Sequence, residues 1–485
     1  MLKDLRGKII TQVRDHKAFL KSNSQKLEIY QGNLLPYVDE IMRSSLSHEY
    51  YNAIKSRILP INILQRYITK VSTVYSKAPK RKAENESAKD FLNFYEKHLE
   101  INSSGSTADE YSNLFKGYAW EPYITNEGYP SLRELPFDRF IVISTSEKNP
   151  EQHDIFVKIV GSNAHNEDEI LIFAYTNTEF DAFYMNGAEA SEYLKDNLGL
   201  NVVGTIPFVY GKRQRNRLIP IQDTDMLAIT KAIPVMLSDA AGAQMFQCFT
   251  ILYGIDVSIE NAKLSPNVLW SVKSDKESDK PASIGSIKPE ADTDKVVDFV
   301  VNAFVMWLET KGIRVGSVGT VDGSNAASGL SKIIDEMDVH KLVCNSMDWF
   351  ARDEKELWNK KMPKIHEYWV KNGMLSSELE DVPGIVVGDP KITVEFDKPK
   401  PMISRVEQIA NCKAEKELGT MTQEQIIKEL HPDYSPEYIE ELLALGEKAV
   451  EEQKIEMTKG DLDATDEDGN KPTEKINPES KDGNS

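Results

Sequence analysis

Apolar positions recur at helical spacing through most of residues 1–120, most plainly over residues 59–74, LPINILQRYITKVSTV. Pro79, in the KAPK that follows, is expected to stop that helix. The stretch SKAPKRKAENESAK is charged and loop-like, and residues 85–120 then read as two helices around the break Ser104-Gly105-Ser106. From about residue 129 to 211 the pattern changes. RFIVIS, HDIFVKIVG, ILIFAYT and FDAFYMNG are short runs of Ile, Val, Phe and Tyr separated by polar turn residues. They predict an antiparallel β-rich module that closes with NVVGTIPFVYGKRQRNRLIPI.

Helical patterning returns over residues 223–253, with Pro234 as the expected kink or boundary. Residues 255–290 form a short insert with candidate strands IDVSIE and NVLWSVK and a polar stretch, SDKESDKPASIGSIKPE, that should be exposed. Asp292 or Thr293 can cap the next helix, 293–311, with Asp294 and Asp298 near its positive end. Its body, VVDFVVNAFVMWL, is apolar nearly all round, so it should be buried on several sides by its own fold or by neighbouring subunits. Gly312 ends it. The glycine-rich VGSVGTVDGSNAASGL (315–330) follows. A very long helical run then extends from 326 to about 371, broken only near Pro363. Residues 383–397 look like a return to strand, and residues 402–455 like a helical C-terminal segment. The tail from 457 is polar and acidic, and reads as disordered by composition.

Charge narrows the function classes. The 485 residues carry 58 Lys plus Arg against 77 Asp plus Glu, a net charge of −19. Such an acidic balance argues against tight DNA or RNA binding, while leaving room for a wall past which DNA slides. Cys248, Cys344 and Cys412 form no paired motif, so a zinc site or disulfide framework is not expected and a reducing compartment is the plain reading. The N-terminus MLKDLRGKIITQVRDHKAFL is charged and amphipathic, unlike a signal peptide. No run reaches membrane-spanning length; residues 296–308 come nearest and are interrupted by Asp298 and Asn302.

The candidate chemistry is sparse. The glycines Gly316, Gly319 and Gly323 lack the following Lys-Ser or Lys-Thr of a phosphate loop, and their spacing fails the dinucleotide pattern. Glycine there is better read as supplying unusual dihedrals between two helices. DLDATDEDG (461–469) places Pro472 where a calcium loop needs glutamate. His153, His165, His340, His366 and His431 are scattered; only His366 has a near acidic neighbour, Glu367, and it points to another side of the helix. The basic cluster KRQRNR (212–217) reads as a surface turn or subunit contact in preference to a phosphate site. No constellation demands an enzyme, and no metal or cofactor is expected.

Five stretches, in this order, resemble the portal protein family of tailed bacteriophages over about residues 50–455. RYITKVSTVYSKAPK (66–80) resembles the family's early helix, with Ser76 where glycine is common. AYTNTEF (174–180) and GTIPFVYGK (204–212) resemble the wing strands and their closing turn. QDTDMLAITKAIPVMLSDAAGAQMF (222–246) resembles the first stem helix, apart from Pro234. SNAASGLSKIIDEMDVHK (324–341) resembles the start of the long leg helix. ISRVEQIANCKAEKELGTMTQEQIIKELHPDYSPEYIEEL (403–442) resembles the crown, including its turn from Gly419 to Glu424.

The resemblance implies a mainly α fold with a β-rich module (α+β), in a portal-type subunit with wing, stem, clip and crown that assembles into a ring. The implied divisions are N-terminal helices and wing 1–222, stem helix 223–254, clip 255–290, second stem helix 291–313, tunnel loop 314–325, leg helix and return strand 326–399, crown 400–456 and acidic tail 457–485. It implies a DNA-facing tunnel loop with Arg314, Gly316, Ser317, Gly319, Thr320, Asp322, Gly323, Ser324 and Asn325. Trp270, Lys273, Asp275, Lys276 and Lys280 would be clip contacts, and Val297, Val300, Val301, Phe304 and Trp307 the stem interface. The implied ring has about twelve copies. It would sit at the capsid portal vertex of a virion after assembly in the host cytoplasm, with no membrane involved. Implied partners are the major capsid protein, a scaffolding protein, the terminase large subunit, a head-tail adaptor and duplex DNA in transit. The alternatives are a soluble helical scaffold or adaptor without a channel, and an enzyme with an unrecognised site.

Overall fold

The computed structural model describes residues 2–161, 169–194, 199–214, 216–247, 251–255, 283–287, 293–313, 329–386, 388–397, 405–431, 434–435 and 438–445. The chain divides into two compact units, residues 1–400 and 401–485. The fold is α+β.

The first unit begins with α1 (Leu2–Asp15), α2 (Lys17–Tyr30), α3 (Leu35–Ser45), α4 (His48–Ile54) and α5 (Ile63–Val71). A short strand β1 (Lys80–Lys82) precedes α6 (Glu86–His98) and α7 (Ile101–Phe115). Side-chain oxygens set three of the starts: Ser47, Asn62 and Asn85 accept from the backbone N–H of Tyr50, Gln65 and Ala88. Two expectations need correction here. The helix expected to run on to Pro79 stops at Val71, because buried Asp109 accepts the Val74 N–H at 2.9 Å and draws the backbone out of the helix. The break between the two later helices lies at Glu100, whose φ is 49°, and Ser104-Gly105-Ser106 sits inside α7. Gly105 is there for packing: a Cβ on it would lie 2.4 Å from ring carbons of Tyr75.

Seven strands then build two antiparallel sheets. They are β2 (Gly117–Ile124), β3 (Pro130–Leu135), β4 (Phe140–Ile143), β5 (Ile155–Val160), β6 (Leu171–Tyr175), β7 (Phe180–Tyr184) and β8 (Val209–Lys212). One sheet has the order β3-β2-β8 and the other β4-β5-β6-β7. The module starts at Gly117, earlier than the expected 129. Pro122 disguises β2, but it lies beyond Trp120, where the β8 pairing ends, so β2 is paired there by β3 alone. Phe137, Phe140, Phe156 and Phe208 stack in series with interplanar angles of 17°, 16° and 8°, tying the strands to the β8 approach. Helix α1 closes the second sheet, with Ile9 and Val13 packed among Ile141, Val157 and Phe183. Arg6 binds Asp181 bidentately at 2.6 and 2.7 Å.

Next come α8 (Thr224–Gln247), the strand pair β9 (Ile251–Ile255) and β10 (Ser283–Ile287), and α9 (Thr293–Thr310). Pro234 does not interrupt α8, which corrects the expected boundary. Thr230 and Ser238, one turn on either side, donate hydroxyls to the carbonyls of Met226 (2.7 Å) and Pro234 (2.6 Å), a pattern that lets a helix bend around a missing backbone bond.

The long helix α10 (Gly329–Glu356) passes through a π turn, Leu357–Lys361, into α11 (Met362–Lys371). Pro363 cannot donate to the Asn359 carbonyl, and the wider turn absorbs that loss. It also presents the Asn359 side chain, which grips Ile392 through both backbone groups at 2.7 and 2.9 Å. That grip sets β11 (Thr393–Glu395), which pairs antiparallel with β1. The expected return strand is thus real but short.

The second unit holds α12 (Arg405–Glu417), α13 (Gln423–Leu430) and a further helical stretch over 438–445. Gly419, at φ 71°, ends α12, with Gly419 N–H on Lys416 O and Thr420 N–H on Glu415 O. Thr422 and Gln425 form a reciprocal capping box at the start of α13. The acidic tail and DLDATDEDG lie outside the described residues.

Candidate assembly interface

Helices α8 and α9 form an antiparallel pair, since the first turn of α8 meets the last turn of α9. Trp307 donates its indole N–H to Asp225 at 3.0 Å, and Lys311 reaches Asp225 at 2.8 Å. Gly312, at φ 77°, ends α9: its N–H bonds Glu309 O at 2.9 Å and the Ile313 N–H bonds Leu308 O at 3.1 Å.

The faces of α9 differ. Val300 and Trp307 are buried, and Phe304 and Leu308 are half-buried against the chain's own core. Tyr67 meets the Trp307 ring edge-on at 5.0 Å. Phe299 and Met306, seven residues apart, share a side of the helix away from Phe304 and Leu308, while Val296 and Val297 lie near its start. All four are exposed, Phe299 by 58% and Met306 by 66%. The stem residues named from sequence therefore divide. Val300 and Trp307 are buried within the chain, Val301 and Phe304 are half-buried, and Val297 is exposed. Phe299 and Met306 were missed because an all-round apolar run does not say which side its own chain covers.

The tunnel residues Arg314, Gly316, Ser317, Gly319, Thr320, Asp322, Gly323, Ser324 and Asn325 lie outside the described residues. So do Trp270, Lys273, Asp275, Lys276 and Lys280 of the clip. Residues 224–244 of α8 are long and apolar enough to cross a membrane, contrary to the reading that no run reaches that length. Part of that window, including Met226, Ile233 and Ala240, is buried inside the protein.

A charge cluster roots the helix pair. Asp223 lies 2.9 Å from Lys116 and 3.3 Å from Lys311. Burial pushes its carboxyl up, but the two lysines hold it below the usual range. The sequence signal for this clamp is Asp223-x-Asp225 at one helix start and Lys311 at the end of the antiparallel partner. Within KRQRNR, Lys212 and Arg213 are engaged inside the chain, while Arg217 is exposed. Lys212 donates to the carbonyls of Glu151 and Arg217, and Arg213 donates to Ser112 (2.8 Å) and Asn113 (2.6 Å) over the Trp349 ring.

Buried charge also anchors the long helix. Glu354 accepts from Arg81 at 2.6 and 2.9 Å, from Tyr75 at 2.8 Å and from the Trp358 indole at 3.2 Å. Next to it, burial raises the Asp353 carboxyl to about 7, against the opposing pull of Arg352. His366 is a core histidine: Nδ1 meets the Tyr95 hydroxyl at 2.7 Å and Nε2 meets Pro383 O at 3.2 Å, while Glu367 pairs outside with Lys371. Among the described residues no group of three His, Cys, Asp or Glu side chains could hold a metal ion. A cavity of about 770 Å³ between α10 and β11 mixes Arg352, Lys355 and Lys360 with Asp348, Glu356 and Glu395. No nucleophile–base pair is among them.

No protein-family model and no curated protein matches the chain. A solved structure described as the neck of an empty GTA particle, computed with C6 symmetry, is similar over 80% of this chain and 96% of that chain, at 12% identity and a TM-score of 0.36.

Proposed function

We propose that the chain is the subunit of a portal-like ring through which DNA enters and leaves a phage-type capsid. The observation that supports this most is the exposed apolar pair Phe299 and Met306 on α9, on a different side from Phe304 and Trp307, which pack on the chain's own core. An exposed pair of that kind on a packed helix calls for a cover, and a second copy of the same chain in a cyclic ring supplies one on every subunit. The helix pair would be the stem, and the strand pair β9–β10 the base of the clip. Residues 314–325, outside the described residues, would be the tunnel loop, and residues 400–456 the crown.

In this reading the function is geometric. The ring holds one capsid vertex, docks a terminase whose ATP hydrolysis drives packaging, and later docks a head-tail adaptor. The net charge of −19 suits a bore that lets duplex DNA pass without holding it. Size-exclusion chromatography with light scattering tests the proposal: a closed assembly of about twelve copies is expected, and Phe299→Asp with Met306→Asp should reduce it to smaller species. An assembly that both substitutions leave intact would count against the pair. Deleting residues 316–323 should spare the ring and impair retention of packaged DNA; loss of the ring instead would make that segment structural.

A further inference from the structure

The root of the helix pair encloses a second cavity, of about 260 Å³. Its charged lining is Lys116, Arg213 and Lys311 against the carboxylate of Asp223, with the hydroxyls of Thr310 and Ser346 nearby. Beyond the lining, Lys311 also pairs with Asp225 at 2.8 Å and Arg213 lies 3.9 Å from Asp109, so that with buried Lys26 four cations meet three carboxylates. Asp223 is already divided between Lys116 and Lys311. Arg213 spends Nε and Nη2 on neutral oxygens of Ser112 and Asn113.

Lys26 adds to the same cluster. It is 1% exposed. Burial lowers its ammonium to about 8, and Lys116 and Lys311 push the same way against Asp223 and Asp225. Burial likewise lowers Lys116 and Arg213. Crowded cations in a site of low polarity are relieved by an anion.

We propose that this cavity binds a small tetrahedral oxyanion, inorganic phosphate being the simplest, between Lys116, Arg213 and Lys311. A cavity of this size accommodates one phosphate and a few waters, each water taking about 30 Å³. It is too small for a nucleic-acid strand. The walls come from α5, α7, the end of β8, α9 and α10, so the anion would tie the end of α9 to the long helix and the wing sheet. The proposal concerns each subunit and does not depend on the ring.

Isothermal titration of the full-length protein with inorganic phosphate, against matched sodium chloride, tests it. Thermal unfolding alone would not suffice, because phosphate also stabilises proteins generally by exclusion. Binding is expected in the wild type, with Asp223→Asn tightening it roughly tenfold by removing the competing carboxylate and Lys116→Met weakening it roughly tenfold, a factor worth about one charge-assisted contact. Should Lys116→Met fail to fold, the Asp223→Asn comparison decides. No binding heat in either the wild type or Asp223→Asn, equal affinity in the two, or displacement of phosphate by a short DNA duplex would each overturn the proposal.

Discussion

At the residue scale, Gly105 sits where two preferences oppose each other. Alanine in a helix interior is favoured over glycine by about 1 kcal/mol. The Cβ it adds would lie 2.4 Å from the Tyr75 ring, which is held by its bond to Glu354, and overpacking of that kind costs about 1 to 3 kcal/mol. Gly105→Ala should therefore lower the thermal midpoint; a rise would mean that the ring moves freely. Asp353 carries a pH signature. Its folded carboxyl titrates near about 7, above the ordinary value, so the folded state keeps a proton that the unfolded chain loses. Its contribution to stability is full in acid and is lost as pH rises from about 4 to about 7, at up to about 1.4 kcal/mol per pH unit. Comparing wild type with Asp353→Asn across that range should show the wild-type slope flattened in the variant. Glu354→Gln should cost about 3 to 5 kcal/mol in denaturant unfolding, because Arg81, with a side chain only 2% exposed, would lose its main anion. None of these residue-level features was legible in the sequence: Gly105 looks like a breaker until Tyr75 is placed against it.

At the element scale the two faces of α9 should separate stability from assembly. Trp307→Ala removes a buried ring and its bond to Asp225, and should destabilise each subunit by about 3 to 5 kcal/mol. Phe299→Asp changes an exposed position, and the isolated subunit should stay within about 0.5 kcal/mol of wild type. Unfolding of the two variants at low protein concentration checks the contrast. At this scale the sequence was informative wherever pattern is local. The runs RFIVIS, HDIFVKIVG, ILIFAYT and FDAFYMNG became β4 to β7, Gly312 ended α9, and Gly419 ended α12. It failed where partners distant in the chain decide. Asp109 ended α5 early, Pro122 hid β2, and α8 absorbed Pro234 through two hydroxyls.

At the scale of the whole molecule, the α+β class and the order of its parts were legible, because periodicity and turn residues report them directly. The candidate site was legible in part: the apolar α9 was recognised as needing cover, while the side left open emerged only once Tyr67 and Asp225 were seen holding Trp307. The clamp of Asp223 and Asp225 on Lys116 and Lys311 joins residues about 100 and 200 positions apart, beyond any local pattern. The proposed function requires this subunit to close into a ring around a channel. Negative-stain electron microscopy of the purified full-length protein tests it most directly. Class averages should show a closed ring of about twelve copies with a central bore wide enough for duplex DNA. A uniform population of single subunits at every concentration, or a compact assembly without a bore, would contradict it.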